Sequence, residues 1–160
     1  MPNSDEVFFT SSNVKKNKLI LDAGRTNNFK IYRGRMSDNK IVEKEELHFN
    51  SNTYSVGHPA VSSDGKYLLF ASDMPGGFGG ADIYYCRIYE DGMISDPVNA
   101  GSDINTWGND FFPYVVDDML FFASDGRLVN IVHSAMPYSL TARNSASPAR
   151  YVLELNGGSA

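Results

Sequence analysis

The stretch His58-Pro59-Ala60-Val61-Ser62-Ser63-Asp64-Gly65-Lys66-Tyr67-Leu68-Leu69-Phe70-Ala71-Ser72-Asp73 decides the fold. Pro59 opens a short strand that ends at Ser62. Ser63-Asp64-Gly65-Lys66 then reads as a tight turn, because Asp-Gly supplies the positive φ that a hairpin needs. Tyr67 to Ala71 is a second strand, apolar on both faces and therefore central. Asp73-Met74-Pro75-Gly76-Gly77-Phe78-Gly79-Gly80 is a glycine-rich loop. It leads into a third strand, Asp82 to Tyr89, which Glu90-Asp91-Gly92 turns. A fourth strand begins at Met93 to Ser95 and is closed by Asp96-Pro97.

The elements of this stretch recur in order. Leu68-Leu69-Phe70-Ala71-Ser72-Asp73 matches Val7-Phe8-Phe9-Thr10-Ser11-Ser12 and Leu120-Phe121-Phe122-Ala123-Ser124-Asp125, and Phe9, Phe70 and Phe122 are spaced by 61 and 52 residues. Phe29-Lys30-Ile31-Tyr32-Arg33 matches Ala81-Asp82-Ile83-Tyr84-Tyr85, and His58-Pro59-Ala60-Val61 matches Phe112-Pro113-Tyr114-Val115. Short strands recurring at a fixed period of about 50 residues are the sequence signature of β-propeller blades. The fold expected is all-β: about two and a half four-stranded antiparallel blades, an incomplete propeller. The repeat segment spans residues 1–126, with blades at roughly 7–56, 57–110 and a partial one at 111–126. Residues 127–160 are expected to be an irregular tail. The motif loses register after Asp125-Gly126, as a frame change, a truncation or a fusion would cause. Lys18 to Asp22 reads as an inserted or displaced strand, and Ile41 to Phe49, with its run Glu43-Lys44-Glu45-Glu46, as a solvated outer strand or loop.

The chain has 160 residues, room for one ordinary domain. Its 14 basic and 19 acidic residues give a net charge of −5, which disfavours nucleic acid as a partner. Cys86 is the single cysteine, so an internal disulfide and a Cys-based metal site are excluded. No apolar run is long enough for a transmembrane helix. The first residues lack the features of a signal peptide.

Two stretches, His58 to Asp73 and Pro75 to Tyr84, together resemble the WD-like propeller repeats of the TolB type. The form Pro-Gly-Gly-Phe-Gly-Gly-x-Asp-Ile-Tyr is similar to that of large outer-membrane-associated proteins of the Bacteroidetes. Those proteins often place an OmpA-type peptidoglycan-binding domain after the propeller, and some serve gliding and type IX secretion. The resemblance implies a non-enzymatic scaffold in the periplasm at the outer membrane. Its partners would be other envelope proteins or further blades, with a peptidoglycan link through a domain outside this sequence. It implies no cofactor. The alternatives are a propeller that gates substrate for a serine peptidase and a propeller that binds glycans.

The contact surface expected lies on the loops at one end of the blades. One loop comprises Asp73, Pro75, Gly76, Gly77, Phe78, Gly79, Gly80 and Asp82, and the other Trp107, Asn109 and Asp110. The repeat residues Pro59, Asp64, Gly65, Phe70, Ser72, Ile83, Tyr84, Pro113, Phe122, Ser124 and Asp125 read as structural. Phe70, Phe122, Ile83 and Tyr84 would fill the layers between blades. Asp73 and Asp82 would close the glycine loop by accepting backbone N–H bonds. The loop lacks the Gly-Lys-Ser/Thr ending of a phosphate loop. No Gly-x-Ser-x-Gly elbow surrounds a serine, so His58 reads as a packing or hydrogen-bonding residue. His48, His58 and His133 have no zinc spacing. Asp110, Asp117, Asp118 and Asp125 could face a hard cation, but Asp117-Asp118 sits where a hairpin turn is expected. Trp107 reads as a packed loop anchor in preference to a ligand platform, and Cys86 as a small hydrophobe within a strand.

Overall fold

The computed structural model describes residues 5–116, 119–124 and 127–133. Twelve strands and no helix are found among the described residues: β1 (Glu6–Ser12), β2 (Val14–Lys15), β3 (Lys18–Leu19), β4 (Phe29–Ser37), β5 (Lys40–Glu46), β6 (Val56–Val61), β7 (Tyr67–Ser72), β8 (Asp82–Arg87), β9 (Val98–Asn99), β10 (Asp110–Val116), β11 (Met119–Ser124) and β12 (Arg127–His133). They form antiparallel sheets ordered β1-β4-β5, β6-β7-β8-β9 and β10-β11-β12, plus the small hairpin β2-β3. None of the sheets is closed.

The first and second sheets share one register across their central ladder, whereas the β11–β12 ladder of the third has a bulge between Phe121 and Phe122. Phe9 lies opposite Tyr32 and Thr10 opposite Ile31 in the first. Phe70 lies opposite Tyr84 and Ala71 opposite Ile83 in the second. β1 is therefore the counterpart of β7, and β4 that of β8. The strands β6 and β10 also correspond. Each carries a bulge at an aromatic residue followed by proline, between Gly57 and Ala60 and between Phe111 and Tyr114. His58 and Phe112, at the two bulges, both have positive φ, 55° and 56°.

The second sheet is buried on both faces. Leu68 and Phe70 point into one core with Ile31, Leu47, Phe49 and Tyr84. Leu69 and Ala71 point into another with Ile83, Ile104, Leu120 and Phe122. The period-2 alternation of strand side chains delivers adjacent residues to opposite layers. The Phe49 and Phe70 rings stack at 4.8 Å with 5° between their planes. Of the residues expected between repeats, Phe70 and Tyr84 belong to the first layer and Ile83 and Phe122 to the second.

The strand plan departs from expectation in several places. The first sheet has three strands rather than four, and the third, expected as a partial blade over 111–126, has β12 as a third strand. In the second sheet the fourth strand is Val98–Asn99, beyond Asp96-Pro97, and not Met93 to Ser95. There the Ser95 hydroxyl takes the Arg87 N–H at 2.9 Å. The ladder shrinks to a lone bridge between Ile88 and Ile94 before β9 resumes it. The expected strand Lys18 to Asp22 is only Lys18–Leu19, which turns back on β2 through Lys16 and Asn17, both at positive φ. Arg127–His133, placed in an irregular tail, instead pairs with β11. Asp117, Asp118, Asp125 and the rest of the tail, residues 134–160, lie outside the described residues.

A side-chain device recurs with the strands. Asn50 accepts the Ile31 N–H at 2.9 Å and donates to the Ile31 carbonyl at 2.7 Å. Asn105 does the same for Ile83, at 2.7 and 3.0 Å. The amide mimics a partner strand at one residue and satisfies a buried N–H that would otherwise be unpaired, while the carbonyls of Ile31 and Ile83 also accept from the Leu47 and Ala100 N–H groups.

Candidate functional site

The connection from β7 to β8 and the connection from β9 to β10 meet at one end of the sheets, and all the candidate contact residues lie on them. Asp82 is 1% exposed. Its Oδ2 accepts the Phe78 N–H at 2.5 Å and the Asn99 side-chain amide at 2.9 Å, and its Oδ1 accepts the Gly79 N–H at 3.1 Å. This knots the glycine loop as the spacing suggests. Asp73 acts elsewhere. Its Oδ1 accepts the Ser55 N–H at 2.6 Å, tying the loop to the chain that enters β6. Ser72 supports the same corner by donating to the Ser55 carbonyl at 2.7 Å.

The two loops are pinned to each other. Gly80 donates to the Gly108 carbonyl at 2.8 Å, and Asp110 donates its N–H to the Ala81 carbonyl at 2.7 Å. Asn109 Oδ1 accepts the Ala81 N–H at 3.2 Å. Gly79 lies so close to the backbone of residues 106–108 that a Cβ there would overlap it. Asp110 is fully buried and holds Thr106 through its N–H at 2.6 Å and its hydroxyl at 3.2 Å. The Thr106 hydroxyl also meets that of Ser124 at 2.9 Å. Pro75 and Gly76 form the outer turn of the glycine loop, with Gly76 at φ +96°.

Two aromatic side chains project from this pinned base. Trp107 is 88% exposed and Phe78 is 40% exposed. The expectation that Trp107 anchors its loop by packing is thus corrected. Thr106 and Gly108 hold the loop through hydrogen bonds, which leaves the indole in solvent. Asn99 is the contributor the sequence reading did not single out, whereas Asn105, Thr106 and Gly108 fall within the loop Asn105 to Asp110 that it expected as a contact surface. The Asn type is its only signal, and it reads as an ordinary turn residue.

The remaining candidates are dispersed. Asp64 and Gly65 form the β6–β7 turn at the opposite end, where Asp64 Oδ1 accepts from Ser62 Oγ at 2.7 Å and Gly65 sits at φ +72°. His58 packs edge-on to Phe111 and against Phe112, and its buried Nδ1 has no hydrogen-bond partner. Burial holds its pKa below the ordinary histidine value. Cys86 is fully buried, and burial, with a smaller contribution from Asp96, pushes its thiol up to about 12. No metal-binding cluster of His, Cys, Asp or Glu occurs among the described residues. No helix of the described residues is long and apolar enough to cross a membrane.

The sequence reading also missed a cleft at the end opposite the pinned loops. It has a volume of about 900 Å³ and lies among Arg33, Arg35, Glu43, Lys66 and Glu90. Its cations are already engaged: Arg33 with Glu6 and with the Gly92 carbonyl, Arg35 with Glu43, and Lys66 with Asp64. The run Glu43-Lys44-Glu45-Glu46 borders it from β5, a largely exposed strand.

A family model, DUF192, described as Uncharacterized ACR, matches residues 105–160. This span is about a third of the chain and includes the second pinned loop, β10, β11 and β12. No curated protein matches the chain.

Proposed function

We propose that the three sheets are consecutive β-propeller blades and that the chain is a non-enzymatic scaffold segment of a bacterial cell-envelope protein, outer-membrane-associated and peptidoglycan-linked. The observation that carries the blade reading is the common register, Phe9 with Tyr32 and Phe70 with Tyr84, in sheets layered through continuous apolar cores. Repeats of this kind bury their faces only against their neighbours. The scaffold reading is supported by the pinned loops, which present Phe78 and Trp107 on a base cross-linked by hydrogen bonds. Exposed aromatics on a rigid base suit protein contact, because little side-chain entropy is lost on binding. The envelope location rests on the resemblance of the glycine-loop motif.

Density-gradient fractionation of source cells, probed with an antibody to this chain, tests the location. Recovery with the outer membrane and peptidoglycan supports it, and recovery in the cytosol overturns it. The exposure of Trp107 also favours glycan binding as a second reading, since an open indole can stack on a sugar ring. Titration of the Trp107 fluorescence with peptidoglycan fragments separates the two. Saturable quenching favours the glycan reading, and an unchanged spectrum favours the protein scaffold.

A further inference from the structure

The connection from β1 to β4 is the counterpart of the glycine loop, and it carries a projecting hairpin in its place. Val14 lies opposite Leu19 and Lys15 opposite Lys18, with Lys16 and Asn17 turning the chain at positive φ. The period-2 alternation puts the apolar pair Val14 and Leu19 on one face of the hairpin and the pair Lys15 and Lys18 on the other. Every residue from Val14 to Leu19 is exposed, Val14 by 47% and Leu19 by 59%. The base of the hairpin, by contrast, is fixed. Asn27 donates its side-chain amide to the Asn13 and Ile20 carbonyls, both at 2.8 Å, and the buried Asn13 donates to Asn52 at 2.7 Å. The hairpin shares an end of the sheets with Phe78 and Trp107. Ser55 joins the two regions: its hydroxyl accepts the Phe29 N–H at 3.1 Å, and its own N–H goes to Asp73 at 2.6 Å.

We propose that this hairpin docks on an anionic lipid surface. Charge is the first argument. Val14 to Leu19 hold three lysines and no acid, in a chain whose net charge is −5. None of the three has an ion-pair partner among the described residues, whereas Arg33, Arg35 and Lys66 at the opposite end are all engaged. Asp22, the one acid of the connection, is spent on Thr26 and Asn28. Lys15 and Lys18 stand directly opposite each other, an arrangement that costs stability in a sheet and that an external anion relieves. The amphipathic form is the second argument. An apolar face backed by lysines is the composition of elements that lie in a membrane interface. The apolar side enters the acyl boundary while the lysine stems extend to the headgroup phosphates. A free anion or a nucleic acid would engage the lysines and leave Val14, Leu19 and the exposed Leu21 in water. Trp107 and Phe78, exposed at the same end, are residue types that settle at such an interface. The inference rests on the hairpin and goes beyond the scaffold reading.

The test is co-sedimentation of the full chain with vesicles of phosphatidylcholine alone and of phosphatidylcholine mixed equally with phosphatidylglycerol. Binding to the mixed vesicles is expected, falling as salt is raised, with little binding to phosphatidylcholine. Replacing the three lysines together, by Lys15→Gln, Lys16→Gln and Lys18→Gln, should weaken binding about a hundredfold, since each lysine near an anionic surface contributes roughly a fivefold factor. Val14→Ser with Leu19→Ser should weaken it about tenfold or more with the lysines intact. Lys40→Gln, which removes a charge from the β4–β5 end of the first sheet, should leave it unchanged. The triple lysine variant should be at least as stable in urea as the wild type, because a like-charge pair is gone, and its lost binding is then not lost folding. Equal binding to both kinds of vesicle, or binding to neither, overturns the proposal. Binding that needs the lysines but tolerates the loss of Val14 and Leu19 also overturns it, since the hairpin is then a site for soluble or macromolecular anions and not a lipid interface. Each of these negative outcomes leaves the protein-contact reading of Phe78 and Trp107 standing.

Discussion

His58 and Phe112, equivalent residues of consecutive sheets, lie ring on ring with centroids 4.1 Å apart and 32° between their planes. Both sit at positive φ immediately before a proline, and both mark the bulge of their strand. The contact is therefore a product of the repeat, and the two rings differ chiefly in that one titrates.

Burial lowers the His58 pKa in the folded chain. The unfolded chain then binds the proton more readily, and stability falls as pH drops through the unfolded value of about 6.5. This loss ends once pH is below the depressed folded value. His58→Phe places at this position the residue that Phe112 already shows to be compatible with the backbone. Urea titrations of the wild type and variant between pH 5 and 8 are expected to show a smaller acid loss in the variant. The two should respond to pH most differently below about pH 6.5.

Asn50 and Asn105 each satisfy both backbone groups of a buried isoleucine. Replacing either by alanine leaves a buried N–H unpaired, at a cost of roughly 1–3 kcal/mol. Chemical denaturation of Asn50→Ala and Asn105→Ala should show losses of this size. Lys40→Ala, at an exposed position of β5, serves as the comparison and should cost less.

Gly76 and Gly79 belong to one loop and are constrained differently. At Gly76 a Cβ meets nothing within 4 Å, but φ is +96°. Gly76→Ala should cost about 1 kcal/mol, from backbone conformation alone. At Gly79 the Cβ would strike the backbone of residues 106–108, which cannot swing aside as a side chain would. Gly79→Ala should therefore cost more than Gly76→Ala and loosen the second loop. Faster amide exchange at Gly80 and Asp110 is the expected sign, since both bond across the two loops.

With its pKa pushed up to about 12 by burial, the Cys86 thiol stays protonated near neutral pH. A thiol-specific disulfide reagent should leave it unmodified in the native chain and label it stoichiometrically in denaturant. Rapid labelling of the native chain would contradict its burial in the first core.

Much of the second sheet was legible in the sequence. Asp64-Gly65 announces its turn, and the two-sided apolar run Leu68-Leu69-Phe70-Ala71 announces a strand between two layers. Asp82 announces the closing of the glycine loop. The Asn50 and Asn105 devices were not legible, because an asparagine in a connection looks the same whether it turns the chain or pairs with a distant strand. β12 was misread because the glycine-loop motif fails before it. Yet Leu128-Val129-Asn130-Ile131-Val132 carries enough β-branched residues to pair with β11 without that motif. The exposure of Trp107 depends on hydrogen bonds from its neighbours Thr106 and Gly108, which no residue pattern encodes.

The central claim is that the pinned loops, and not the opposite end of the sheets, are the contact surface of an envelope scaffold. The most direct measurement is site-specific photocrosslinking in source cells, with a benzophenone amino acid placed at Trp107 in one variant and at Glu90 in another. Both positions are exposed, and they lie at opposite ends of the second sheet's connections. The account predicts a discrete adduct with an envelope protein from position 107 and none from position 90. Equal adducts from both positions, or none from position 107, would contradict it.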